Sequence, residues 1–166
     1  KPYATIQAGV NALPASLTGH SCVVIRDAAT YAEQVTVSGF TMGISSITIF
    51  KDPAVNGRPA VDPPDLSTAA FFILNASVTI ANIDVKPTVE AVSYGVYASS
   101  GWVTISSVNV DSGGKIGYAG MKVSSWSLVE NSSVTVQAAH GIRLDADAQR
   151  SIVRISTAEA NSASFF

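Results

Sequence analysis

Ser77-Val78-Thr79-Ile80 returns as Trp102-Val103-Thr104-Ile105, and at the same interval of 25 residues come Ser127-Leu128-Val129-Glu130 and Ile152-Val153-Arg154-Ile155. Four copies in phase mark a repeat, and a repeat is read first because it decides the fold. Within each unit the apolar side chains alternate with period two, the pattern of a half-buried strand. Ile83-Asp84-Val85 follows the first copy, Val108-Asn109-Val110 the second and Val134-Thr135-Val136 the third. A further run closes each unit, as Tyr94-Gly95-Val96-Tyr97-Ala98, Gly120-Met121-Lys122-Val123 and Gly141-Ile142-Arg143-Leu144. Each repeat therefore supplies three strands.

The turns between them are rich in Ser, Asn and Gly and too short for the crossover helices of a doubly wound sheet. A meander sandwich does not call for an in-phase repeat. Winding the chain so that each turn stacks on the last satisfies both facts: equivalent strands pair in parallel about 4.8 Å apart, and the inward side chains form continuous apolar stacks. The sequence thus predicts an all-β, right-handed parallel β-helix of about six coils, a single domain over residues 1–166. Val78, Val103, Leu128 and Val153 should form one inward stack, and Phe71, Val96, Met121 and Ile142 another.

Ahead of the repeats, Ile6, Val10 and Leu13 recur at helical spacing and the pattern stops at Pro14, so residues 1–20 read as an N-terminal cap with a short amphipathic helix over the open end of the core. Strands follow at Val23–Arg26, Val35–Val37 and Ile47–Phe50. Residues 51–68, with Pro53, Pro59, Pro63, Pro64 and Asn56-Gly57, read as a projecting loop. The abrupt ending Ser164-Phe165-Phe166 and a start at Lys1 without a signal sequence suggest a processed product or a piece of something longer. An uncapped last coil would favour end-to-end association of copies.

The chain is 47% hydrophobic and only 13% charged, with a formal net charge of -2. That composition excludes a disordered chain or coiled coil. Without a Lys/Arg cluster it offers phosphates no basic field, so nucleic acid is not an expected partner. Apolar runs such as Phe71–Leu74 fall far short of the ~20 residues of a membrane span. Cys22, the only cysteine, lies in the run Cys22-Val23-Val24-Ile25 and reads as a small buried hydrophobe; it has no partner for an internal disulfide.

The opening Tyr3-Ala4-Thr5-Ile6-Gln7-Ala8-Gly9-Val10, the strand Val23-Val24-Ile25 and the turn Ala29-Thr30-Tyr31-Ala32-Glu33-Gln34-Val35 resemble the start of pectin-lyase-like β-helix proteins. Those begin with a helix containing Ile-Gln-Ala and continue into a Gly-Thr-Tyr-x-Glu-x-Val turn, with Ala29 here at the Gly position. The resemblance implies an architecture rather than an activity, because that scaffold carries lyases, esterases, hydrolases, adhesins and phage proteins. The Gln, Asp and Arg set of pectin methylesterases has no counterpart here, nor do the Asp-His and Arg-Pro-x-x-Arg signatures of pectate lyases. Gly57-Arg58-Pro59 matches an esterase fragment by letters alone.

Among catalytic candidates, Ala139-His140-Gly141-Ile142 resembles the His-containing turn of polygalacturonases, with Asp145 and Asp147 nearby as carboxylates for an acid and a base. A solvated turn is the ordinary account of the trio, since the preceding coil offers only Ser124 and Ser125 at the matching places. Asp84 stacks on Asn109, which reads as an outward polar row and not a carboxylate pair. Nothing matches a calcium-caging repeat, so no metal and no cofactor is expected.

A different pattern appears when the third strands are stacked: Phe72, Tyr97, Lys122 and Arg143 should point outward in a ladder. Two aromatics continuing into two cations could stack a sugar ring and hydrogen-bond an acidic glycan. The plainer account covers Phe72 and Leu74 with the proline-rich loop and leaves the cations solvated. Thr48, Thr79 and Thr104 form another outward row resembling ice-binding solenoids, but the 25-residue spacing puts Val129 fourth, and β-propensity suffices to explain it. That spacing also turns Glu130 inward beside Ile80 and Ile105, so a bend or register change is expected there.

The functional expectation is a non-catalytic module of an extracellular or cell-surface protein, a structural spacer or a polysaccharide-binding surface. The rival is a carbohydrate-active enzyme, a polysaccharide lyase or glycoside hydrolase, or a fragment of one.

Overall fold

The structure, a computed structural model, describes residues 2–41, 43, 45–89, 91–99, 102–137, 139–145, 150–154, 157–159 and 163–165, and of 158–159 and 163–165 the backbone course alone. It is the parallel β-helix that the repeat predicts, with three sheets that each stack six strands over about five turns. The first sheet comprises Ser21–Ile25, Ile47–Lys51, Val78–Ala81, Val103–Ser106, Leu128–Glu130 and Ile152–Arg154. The second holds Thr30–Tyr31, Ala60–Val61, Asp84–Val85, Asn109–Asp111, Ser133–Thr135 and Thr157–Glu159. The third holds Val35–Val37, Ala69–Ile73, Val92–Ala98, Ile116–Val123, His140–Leu144 and Ala163–Phe165. Equivalent strands of successive coils pair in parallel throughout.

Inside the coils the alternating side chains form one continuous apolar cluster. Phe71, Val96, Met121 and Ile142 stack in register, each fully buried, as the repeat predicts. In the first sheet the predicted stack needs correction. Val78 does sit on Val103, but Thr104 then pairs with Leu128 and Ile105 with Val129. Val129 and Val153 therefore continue the row of Ile80 and Ile105, and Leu128 turns outward beneath Thr104.

The reason is the length of one corner. Phe72 to Thr79 and Tyr97 to Thr104 each advance seven residues, whereas Lys122 to Leu128 advances six, with both ends in register. A one-residue slip reverses every side chain of the strand that follows. It also resolves the expected burial of Glu130, which pairs with Ser106 on the outer face and accepts a 3.3 Å hydrogen bond from its hydroxyl. The register change foreseen at Glu130 is thus present, made in the corner before it. Leu128, not Val129, follows Thr48, Thr79 and Thr104 in the outer row.

Cys22 is also corrected. With Val23 and Ile25 pointing into the core, alternation turns Cys22 outward, where it is exposed.

Helix α1, Ile6–Asn11, closes the N-terminal end by burying Ile6 and Val10 against the core. The two stretches that carry the family resemblance hold it there. The Glu33 carboxylate accepts hydrogen bonds from the Ile6 and Gln7 amides at 2.7 and 3.0 Å, satisfying donors that a helix start leaves open. The Gln7 carboxamide accepts from the Thr36 amide at 2.5 Å and donates to its carbonyl at 3.1 Å, occupying the edge of the third sheet as another strand would. We expect Glu33→Ala to lower the unfolding free energy by about 2 kcal/mol, measured by urea titration, since both the cap and a charge-assisted pair are lost.

Tyr31 ties the same end together by donating to Asp27 at 2.8 Å. Burial first, then that bond and the charges of Asp27 and Glu33, push its hydroxyl up to about 12 from the ordinary 10.0. The unfolded chain therefore loses this proton before the folded protein does. Its contribution to stability is complete below pH 10 and disappears as pH climbs to about 12. Alkaline titration of the unfolding midpoint should fall more gently for Tyr31→Phe than for the parent across that window.

The projecting loop of residues 51–68 is also revised. Its first residue belongs to a strand, and Ala60–Val61 within it forms a rung of the second sheet. What remains is two corners. The one before Ala60 is tied down by Arg58, whose Nε lies 2.5 Å from Asp84 Oδ1 and whose Nη2 donates to the carbonyls of both Ile83 and Ser107. Asp84, only 7% exposed, also receives Asn109 Nδ2 at 3.1 Å and pairs with Lys86 at 3.2 Å. Asn109 in turn accepts from Ser133 at 2.8 Å, so the polar row read from the sequence exists and runs along the solenoid.

Candidate functional site

The outward ladder lies on the third sheet, where Phe72, Tyr97, Lys122 and Arg143 stand in register on four successive coils. The Phe72 and Tyr97 rings are 5.4 Å apart. The Lys122 ammonium lies 4.9 Å from the centre of the Tyr97 ring. Arg143 lies 4.9 Å over the Tyr118 ring and donates to the Tyr118 hydroxyl. The sequence therefore identified the row, but not all of its members.

Tyr94 and Tyr118 join it. Tyr94 packs against Tyr97 at 4.8 Å and against Tyr118 at 5.2 Å, and Tyr118 meets His140 at 6.1 Å. Strict alternation would turn Tyr94 inward with Val96. Instead the strand bends at Gly95, where both Gly95 and Val96 are buried and Tyr94 returns to the outer side. Gly95 stacks on Gly120 and Gly120 on Gly141, because a Cβ at the first would lie 2.5 Å from the Gly120 carbonyl and one at the second 3.0 Å from that of Gly141. Tyr118 is exposed because Ala119, not Tyr118, pairs with both Tyr94 and His140; a bulge between Ile116 and Ala119 pushes it out. The glycine inside three successive third-sheet strands, Gly95, Gly120 and Gly141, was the available signal for the bend; the bulge leaves none.

The rings are tilted from one another by 35°, 52° and 69° along the strip, so the surface is a herringbone and not a flat platform. Its charges are partly spoken for. Lys122 pairs with Asp145 at 3.1 Å with its side chain only 15% exposed. Burial pulls the ammonium down, but the Asp145 bond and charge, with Tyr97 and Tyr94, outweigh it and hold the group above its ordinary value. Burial pushes the Tyr94 hydroxyl up against the pull of Lys122. Of the two cations of the strip, Arg143 is held by no carboxylate among the described residues and rests on Tyr118.

Of the catalytic candidates, His140 stands at the edge of the strip against Tyr118. Asp145 is clamped by Lys122, and Asp147 lies outside the described residues. Glycosidase chemistry needs two carboxyl groups facing one bond, and the described residues place only Asp145 here. Among the described residues no three His, Cys, Asp or Glu side chains gather to hold a metal ion. No helix is long and apolar enough to cross a membrane.

A cavity of about 540 Å³ lies away from the strip, between α1 and the edge strand Ser21–Ile25, lined by Tyr3, Ile6, Leu13 and Val23 among others. It is lined by one carboxylate, Asp27. Comparison with protein-family models, with curated proteins and with solved structures gives no match.

Proposed function

We propose that the chain is a non-catalytic β-helix module, extracellular or at a cell surface, that presents its third sheet to an acidic polysaccharide. The observation that carries this reading is the row of Phe72, Tyr97, Lys122 and Arg143, widened by Tyr94 and Tyr118, running along the solenoid in steps of one coil. A polymer of sugar rings offers apolar C–H faces to aromatics and carboxylates to a guanidinium at a comparable repeat. The opening that resembles pectin-lyase-like proteins, built on Gln7 and Glu33, supports a ligand of the same kind. The clamping of Asp145 by Lys122 favours binding over hydrolysis.

Affinity electrophoresis through gels containing pectin, alginate or xylan, with product release followed in parallel, tests the proposal. We expect retardation by pectin and alginate, weak or none by xylan, and no product. Tyr118→Ala and Arg143→Ala should each weaken retardation about tenfold while leaving the circular dichroism unchanged. Unaltered migration in every gel, or release of unsaturated or reducing ends, would overturn it.

A further inference from the structure

A second aromatic ladder stands at the corner between the third and first sheets. Two residues before Thr104, Leu128 and Ile152, which share one register, come Trp102, Trp126 and Arg150. Trp102 is 61% exposed and Trp126 46%. Their rings lie 6.2 Å apart at 63°, and the Arg150 guanidinium covers Trp126 at 4.7 Å. Neither indole N–H has a hydrogen-bond partner among the described residues, and no described carboxylate pairs with Arg150.

The backbone supplies an internal comparison. At the corner between the first and second sheets the chain also adopts the left-handed region, and there it uses Asn82, Ser107 and Asn131, at φ of 59°, 54° and 50°. Asn in particular enters that region at low cost. At the Trp corner the same conformation is adopted by Trp126 at 61° and Arg150 at 54°, bulky side chains for which it is strained. Retaining them, unburied, in place of Asn is the kind of local cost that accompanies a functional surface.

We infer that Trp102, Trp126 and Arg150 form a second ligand site, separate from the Tyr118 strip, for a glycan that stacks a pyranose ring on the open face of Trp102 and places an anionic substituent on Arg150. Trp126 already has Arg150 on one face, which leaves Trp102 as the stacking surface. Arg150 lies two coils further along, ~10 Å at the usual strand spacing and about the span of two linked sugar rings. The indole N–H groups, which have no partner among the described residues, donate to hydroxyls between these points. The ligand class follows from charge complementarity: a guanidinium that no carboxylate pairs among the described residues, beside stacked rings, favours an acidic chain over a neutral one.

The only two tryptophans of the protein are both in this site, so tryptophan fluorescence, excited selectively beyond the tyrosine absorption band, reports on it alone. On titration with alginate or polygalacturonate we expect a blue shift and protection from acrylamide quenching, with dextran producing neither. Trp102→Phe should reduce the protection, and Arg150→Ala should weaken the alginate response about tenfold. Tyr118→Ala, which removes the first strip, should leave the fluorescence response in place, so failure of one site is told apart from failure of the other. No spectral change with any polymer overturns the inference, as does an equal response to dextran.

Discussion

Asp84→Ala should lower the unfolding free energy by about 3 kcal/mol in urea titration, the largest loss expected from any polar substitution in the protein. Asp84 is the hub of a nearly buried network, with Arg58 at 2.5 Å, Lys86 at 3.2 Å and Asn109 at 3.1 Å. Removing its carboxylate strands the Arg58 guanidinium against two carbonyls with no counter-charge. The Arg58 side chain is 31% exposed and can rehydrate in part, which places the loss at the lower end of the range for broken buried pairs. Asp84→Asn, which keeps acceptor and shape, should cost less. Asp62→Ala is the control, because that half-buried carboxylate bonds only Thr88 among the described residues and its removal should cost about 1 kcal/mol or less. Equal losses at Asp62 and Asp84 would refute the special place of the Arg58 clasp.

Gly95→Ala should be comparably severe, at about 3 kcal/mol, for a purely steric reason. The added methyl would lie 2.5 Å from the Gly120 carbonyl oxygen and 2.7 Å from a Val110 methyl. The first obstacle is backbone of the next coil, which cannot rotate aside as a side chain would. Relief would need the coils to part at the bend that turns Tyr94 outward, so the same substitution should disturb the Tyr94–Tyr118 packing, visible as a changed tyrosine near-UV signal. Gly117→Ala is the matched control: its nearest neighbour would be the Val92 carbonyl at 4.0 Å, and its effect should stay within about 0.5 kcal/mol.

These two sites also mark the limits of reading the chain without its structure. Period-two alternation and the 25-residue return were enough to place Phe71, Val96 and Met121 in one stack, and the likeness of Gly141-Ile142-Arg143-Leu144 to Gly120-Met121-Lys122-Val123 added Ile142, because burial of one face is what those patterns encode. They could not reveal that the corner after Lys122 is one residue short, since turn composition does not specify how many residues a corner consumes. Leu128 was therefore assigned to the wrong face, and only the cost of burying Glu130 signalled that the register had to change nearby. Arg58 was hidden differently: its partners Ile83, Asp84 and Ser107 lie 25, 26 and 49 residues away, and nothing in a Pro-rich segment signals a long-range ion pair. The ladder of Phe72, Tyr97, Lys122 and Arg143 was legible because register carries it. Tyr118 was not, because a bulge obeys no period.

The short turn after Lys122 shows how tolerant of insertions and deletions this architecture is. In a long coiled coil a deleted residue shifts the seam for every heptad downstream, and the damage spreads until a compensating change restores it. Here each strand finds its place against the rung below, so the error is spent within a single turn and the next row of methyls closes as before. A molecule built this way can gain or lose residues at its edges, exchanging one outer surface for another, while its interior stays the same.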